Sequence, residues 1–337
     1  MQARLIGAAM CLSFMVPAFA QSNVTVYGRV DMGYRTFTND GKATLEDQES
    51  GNRWGLIGEE DLGDGLSTFF QLENRFYLDT GMQDSDRQWK DKAFVGLKSK
   101  RWGSVTLGRQ SSVSDLLYGG GDFEAFGGDT IGKMPNRRAR SVAKWDNAFK
   151  YESPYIGGVV QAIATVGLKE NAVVQKNPWG VGAKVNLGAF KADLVYQKDA
   201  VDGTKAALWK TWFVAGSYDF QVVKVMAGVA RSKGYEWAGM GDKNATQTAY
   251  QMGLRVPFGA NTIMATLGRI EDNASGTKTK SNHVGLGYWY SLSKRTTLMA
   301  NLSYDSIDRD GAALLYGEPK GAKENSMGTE LAIRHTF

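Results

Sequence analysis

Among 337 residues there are two histidines, His283 and His335, and one cysteine, Cys11. Hydrolytic chemistry needs a nucleophile beside a base held by a third group. Ser281 lies two positions from His283, which makes two members of a triad, and no G-x-S-x-G elbow accompanies them. "DRDG" (308–311) opens like a calcium loop but has no Glu six residues after Gly311, so it reads as a turn. The expectation is a protein that is not an enzyme and holds neither metal nor cofactor. What the chain concentrates is opposed charge. The stretch "VSDLLYGGGDFEAFGGDTIGKMPNRR" (113–138) carries Asp115, Asp122, Glu124 and Asp129, and "RRAR" (Arg137, Arg138, Arg140) follows at once. Connections this long in a compact fold are usually functional or disordered, and the paired glycines with Phe123, Phe126 and Ile131 favour order. Folded inward, its carboxylates would face arginines across a narrow gap.

Such a loop needs a rigid surround, and the rest of the sequence supplies strands. "VTVYGRVDMGY" sets Val24, Val26, Gly28, Val30 and Met32 on one face and Thr25, Tyr27, Arg29, Asp31 and Gly33 on the other. "NHVGLGYWY" alternates Val284, Leu286, Tyr288 and Tyr290 against His283, Gly285, Gly287 and Trp289. In the terminal run Met327, Thr329, Leu331, Ile333, His335 and Phe337 share one face. The period-2 template is met about sixteen times, among them at 24–37, 51–61, 66–79, 88–99, 103–112, 139–152, 157–167 and 325–337. Tight connections such as "LGDG" (62–65), "KRW" (100–102), "GA" (188–189) and "LSKR" (292–295) alternate with longer polar ones.

Residues 1–20 have the form of an export leader: Arg4, the apolar run "LIGAAMCLSFMV", and "AFA" before the cut. A mature chain of 21–337 is then free of cysteine, so neither disulfides nor thiolate metal sites hold it. No later apolar run is long enough for a transmembrane helix. The 41 glycines and 38 aromatics beside 6 prolines, with 22% charged residues, suit strands that face lipid on one side and water on the other. The formal charge of +5 is too small an excess to imply nucleic acid. The expected fold is all-β: a 16-stranded antiparallel transmembrane β-barrel with short turns at one end, long loops at the other, and the last strand closing onto the first.

"VTVYGRVDMGY", "NRWGLIGEEDLGDGLSTFFQLE", "AFVGLKSKRWGSVTLGRQSS", "SYDFQVVKVMAG", "RVPFGANT", "YSLSKRT" and the terminal "RHTF" resemble, in order and over essentially the whole mature chain, the general-diffusion porins of Gram-negative bacteria, especially the β-proteobacterial branch. The resemblance implies a homotrimer in the bacterial cell outer membrane, among its lipid and lipopolysaccharide, passing ions and small hydrophilic solutes. It implies a third outer loop folded into the lumen as a constriction, and a terminal Phe337 read by the barrel-assembly machinery. Arg29, Arg53, Arg109 and the set Arg137, Arg138 and Arg140 match the family's basic ladder. Alternation places Arg29 and Arg53 inward, but sets Arg109 with Val105 and Leu107, so an inward Arg109 requires a bulge near Gly108. "FGGDT" (126–130) matches the family loop, while Ala125 stands where an acid is expected, re-registering the acidic side onto Glu124 and Asp122 beside Asp129. Ile57 replaces a rung that is often basic. The cation excess implies a weak anion preference. The alternatives are a substrate-specific porin, whose aromatic run would draw on Tyr118, Phe123, Phe126 and Trp289, and an outer-membrane barrel enzyme.

Overall fold

The computed structural model describes residues 23–38, 43–47, 51–118, 123–135, 139, 141–168, 177–199, 209–234, 244–273, 279–307 and 325–337. Its elements run β1 (Asn23–Phe37), β2 (Ala43–Asp47), β3 (Arg53–Gly63), β4 (Leu66–Arg75), β5 (Lys92–Ser99), β6 (Gly103–Ser111), α1 (Val113–Tyr118), β7 (Lys144–Glu152), β8 (Val160–Gly167), β9 (Trp179–Leu187), β10 (Phe190–Asp199), β11 (Trp209–Asp219), β12 (Lys224–Lys233), β13 (Thr246–Phe258), β14 (Asn261–Asp272), β15 (Thr279–Ser291), β16 (Thr296–Ile307) and β17 (Asn325–Thr336). All strands lie in one antiparallel sheet, each paired with its sequence neighbours except that β2 and β3 both pair with β1. β2 and β3 occupy the same edge of β1 in succession: Ala43–Asp47 opposite Met32–Thr36, and Arg53–Glu59 opposite Asn23–Arg29. They form one interrupted stave, so the seventeen segments make a 16-stranded wall.

The wall closes. β1 pairs with β17 from Arg29↔Thr336 to Phe37↔Gly328, and Gly28 and Phe337 exchange backbone hydrogen bonds of 3.0 and 3.1 Å. Closure leaves neither the first strand nor the last as an open edge, which hydrocarbon surroundings demand because no water is there to take a free N–H or C=O. The inner face fixes the register. Asp31 stands opposite Arg334 and Arg35 opposite Glu330, with Nε–carboxylate contacts of 2.8 and 2.6 Å. A slip of two residues would preserve the faces yet in one direction set Arg29 against Arg334. Outward, Val24 and Val26 of β1, Met327, Leu331 and Ile333 of β17, and Phe337 just beyond it are exposed, as the alternation required.

Several strand ends differ from the sequence expectation. The segments expected at 66–79 and 88–99 stop at Arg75 and begin at Lys92. Between them the chain makes its own small turn, with Phe76 bridged to Gln83 and the Tyr77 hydroxyl donating to Asp84 at 2.6 Å. The strands expected at 139–152 and 157–167 begin at Lys144 and Val160. β2 was missed because five polar-leaning residues carry too short a pattern to register.

The Phe337 ring fills the space over Gly28, where a Cβ would meet ring carbon Cζ at 2.3 Å and the Arg53 carbonyl at 2.7 Å. Gly28→Val is therefore expected to obstruct closure, with overpacking of roughly 1–3 kcal/mol. The check is the fraction of purified chain that keeps the fast-migrating, unheated form on gels, which should fall well below wild type.

Candidate functional site: the inner wall and its folded-in loop

The inner face of β1, β3 and β4 carries a row of arginines. Arg29 stands directly opposite Arg53, and Arg53 opposite Arg75. Like charges so placed repel, and carboxylates interleave to offset them. Arg29 lies 3.3 Å from Asp31, Arg75 lies 3.2 Å from Asp91, and Lys92 lies 3.6 Å from Glu73. Arg334 reaches the group from β17, donating from Nε to both Asp31 oxygens at 2.8 and 3.0 Å, with its guanidinium 5.1 Å over the Trp289 ring. Arg53 has no ion pair among the described residues. Alternation had turned Arg29 and Arg53 inward; Arg75, Lys92 and Arg334 were not singled out, although the pattern that placed Phe337 outward also places Arg334 inward. Ile57 lies on this inner face opposite Thr25, an apolar side chain where the ladder has no rung.

The described parts of the long connection after β6, 113–118 and 123–135, pack against the inner wall of the barrel. α1 packs Val113 and Leu117 against Ile163, Val195 and Phe213 of the wall. Past the helix, the carbonyls of Phe123 and Ala125 accept from the Gln251 amide and Arg255 Nε, and Arg255 Nη2 donates to the Glu124 carbonyl at 3.2 Å. Phe126 is buried against Met264 and edge-on to Trp289. The wall leaves room through glycine. A Cβ on Gly268 would meet Met134 Sδ at 1.8 Å, one on Gly285 the Gly132 carbonyl at 2.1 Å, and one on Gly287 the Phe126 ring at 2.4 Å. His283 fastens the same stretch, with Nδ1 2.8 Å from an Asp305 carboxylate oxygen and Nε2 3.1 Å from the Gly132 carbonyl. Both ring nitrogens are thus engaged by the loop and the neighbouring strand. Neither nitrogen is left to act as a base for Ser281. His335 is on the outer face, 2.9 Å from the Thr296 hydroxyl.

The loop carboxylates sit differently from the expected array facing arginines across a gap. Glu124 is 1% exposed. Its Oε2 accepts from the N–H groups of Phe126 and Gly128 at 3.0 and 2.7 Å, and its Oε1 from the Thr266 hydroxyl at 3.1 Å. It holds the turn and anchors it to β14, so it is not an acid facing the lumen. Asp115 is bound by Lys144. Asp129 crosses to the arginines and touches them, with Oδ2 2.7 Å from Arg29 Nη1 and 3.6 Å from Arg334 Nη2. Burial alone would raise the Asp129 carboxyl, but the Arg29 and Arg334 guanidiniums outweigh it and hold the group below the usual carboxylate range.

Arg109 is a second departure. A register shift does occur between Gly108 and Gln110. Arg109 nevertheless stands opposite Ala93, on the face of β5 that carries exposed Val95 and Leu97, and its Nη1 bonds Asp146 at 2.6 Å. It is therefore outside the cluster, because the irregularity left the alternation of β6 in place. Asp122, Arg137, Arg138 and Arg140 lie outside the described residues.

The Gram-negative porin pattern matches residues 7–311. The chain belongs to the Gram-negative porins. It is a channel protein of the outer membrane rather than an enzyme. An outer membrane porin of Bordetella pertussis is 30% identical over the full length of both chains. Outer membrane porin protein 32 of Delftia acidovorans is 28% identical over 95% of each. Among solved structures, an anion-selective porin from Comamonas acidovorans superposes with a TM-score of 0.79 at 23% identity, covering 94% of this porin and all of that chain. OmpT of Vibrio cholerae, in a trimer form, superposes at 0.70 with 17% identity over 94% and 99%.

Two outcomes follow for the loop. In Gly285→Val the added methyls meet the Gly132 backbone, so the loop must leave β15 while the barrel still folds. Single-channel step conductance should then differ from wild type, and unchanged steps would show that the loop does not shape the pore. For acid, the sign is set by the depressed Asp129 group: its ion pairs persist above the ordinary Asp value of about 3.9 and are lost as pH falls through the lower folded value. Conductance at constant ionic strength should hold steady from neutrality to about pH 4 and shift only below, and Asp129→Asn should remove that acid step.

Proposed function

We propose that this porin is a general-diffusion channel for ions and small hydrophilic solutes, weakly anion-preferring and trimeric. The observation that carries the reading is the Arg29–Arg53–Arg75 row, read together with the commitment of the described loop carboxylates, Asp115, Glu124 and Asp129, to partners. Around it, Arg29, Arg53, Arg75, Lys92, Lys144 and Arg334 meet Asp31, Glu73, Asp91, Asp115 and Asp129, six cations against five anions among the described residues. An excess of one cation in a water-filled constriction biases passage toward anions without excluding cations. At about 0.15 M salt the screening length of about 8 Å blunts that bias.

Arg29, Arg53 and Asp129 serve in this reading as constriction residues, with Arg75, Lys92 and Arg334 added. The anion-selective porin of Comamonas acidovorans supports the sign, and the trimer form of the Vibrio protein supports the assembly. Burial of Phe123 and Phe126 in the loop–wall contact argues against an aromatic lane for a specific sugar. Residues 1–20 serve as the export leader, and Phe337 as the signal to the assembly machinery.

The test is a planar bilayer under a tenfold potassium chloride gradient. Large steps in groups of three, with a zero-current potential on the chloride side, are expected. Arg29→Ala and Arg53→Ala should move that potential toward zero, and Asp129→Asn should move it further toward chloride. Potassium preference in the wild type would overturn the selectivity, and silence from folded protein would overturn the channel reading.

A further inference from the structure

The outer face of β10, β11 and β12 carries a row of cations at its long-loop end. Lys198 stands directly opposite Lys210, and Lys210 directly opposite Lys233, so ammonium groups occupy neighbouring positions on three successive strands. Arg231 joins them from the next outward position of β12, opposite Trp212. Lys198 shares its face of β10 with Leu194, and Lys210 its face of β11 with Trp212 and Val214, all exposed. Lys210, Arg231 and Lys233 are themselves exposed, and the half-buried Lys198 holds its ammonium 5.2 Å over the Trp179 ring. Like charges directly opposite one another repel, so such a row is costly unless something negative lies against it. At the same end of the outer face, other strands supply their own acids. Arg109 is held by Asp146 at 2.6 Å, and Arg269 by Glu271 at 3.0 Å. Among the described residues, Lys198, Lys210, Arg231 and Lys233 have no ion pair.

Depth decides what the row faces. From Phe190 to Lys198 on β10, and from Tyr218 back to Lys210 on β11, the outer face runs about 26 Å at about 3.3 Å per residue. Leu194 and Val214 lie within that interval, and Tyr196, Trp179 and Trp212 edge it as an aromatic girdle does. The lysines stand just beyond, at the level of lipid headgroups and on the long-loop side, which is the external side of such barrels.

We propose that Lys198, Lys210, Arg231 and Lys233 bind the phosphate groups of an outer-leaflet lipid that carries more than one phosphate. Ammonium and guanidinium groups make charge-assisted hydrogen bonds to phosphate oxygens. The three lysines span two strand spacings, about 10 Å, too wide for one phosphate and suited to two. The apolar wall of Leu194 and Val214 directly below them receives acyl chains, which a free phosphate lacks. The site lies on the lipid side of the wall, so it is separate from the pore and independent of the selectivity argued above.

The test titrates folded wild-type porin in a non-ionic detergent with bisphosphorylated lipid A and with the same lipid stripped of its phosphates. Bound lipid per chain is read by native mass spectrometry, and inorganic phosphate is added as a competitor. Saturable binding of the bisphosphorylated lipid is expected, with the dephosphorylated form at least tenfold weaker. Lys210→Gln with Lys233→Gln should weaken the bisphosphorylated lipid at least tenfold, and Lys210→Gln alone by a smaller factor. Both changes fall on exposed side chains, and folding is checked by the fast-migrating, unheated form on gels. Lys280→Gln, at an exposed position of β15 opposite Glu271, should bind as wild type does. Equal affinity for the two lipids, or wild-type affinity in the double variant, overturns the site and leaves the lysines as solvated rim charges. Displacement of the lipid by millimolar inorganic phosphate overturns the lipid as occupant. Loss of the oligomer in the double variant, with lipid affinity intact, makes the row a contact between copies and overturns the proposal as well.

Discussion

Asp31 meets Arg334 only because the first strand and the last lie side by side, and much of the interior is organised around that meeting. The hydrocarbon surround forces the sheet to close. Closure with alternation then turns one set of side chains from every stave into a shared aqueous space. At the seam between β1 and β17 that set is strongly charged, and opposite charges face one another in the native register. Arg29 and Arg334 around Asp31 leave positive potential to hold a further carboxylate, which Asp129 supplies from the loop. The contact that completes the barrel therefore also receives the element that narrows it.

The loop reaches that receptor because the opposite wall is prepared for it. Glycines at 268, 285 and 287 bring the backbone of the loop and the face of the sheet close enough for Phe126, Gly132 and Met134 to settle there. Glu124 adds an internal brace, tying two loop N–H groups to Thr266. The loop is suspended between an apolar and hydrogen-bonded contact on β13–β15 and an ionic contact at the seam. In the reading proposed above, passage beside the arginines of β3 and β4 is governed by charge and size.

How much of this was legible in the sequence depended on whether a period or a distant partner decided it. The alternation of "VTVYGRVDMGY" and of the terminal strand assigned lipid and lumen faces correctly, Arg29 included, because a strand's faces are set by adjacent residues alone. The same rule had placed Arg109 outward with Leu107, and the family pattern argued the opposite; local geometry prevailed. Arg334 could have been found by that rule. Glu124 could not, because its role is decided by Thr266, 142 residues away. The inner glycines were visible in "NHVGLGYWY", but their purpose depends on a loop that approaches from another part of the chain.

The suspension of the loop at the seam is the claim on which the account turns, and hydrogen exchange in residues 123–135 tests it most directly. Exchange reports local opening, and a double-mutant cycle separates a shared contact from independent effects. The comparison is among wild type, Arg29→Met, Asp129→Asn and the double variant, all in folded porin. The account predicts that each single change speeds exchange of the loop amides and that the double variant exchanges no faster than the singles, since one contact is lost in all three. Exchange unchanged in both singles, or effects that add in the double variant, would contradict it.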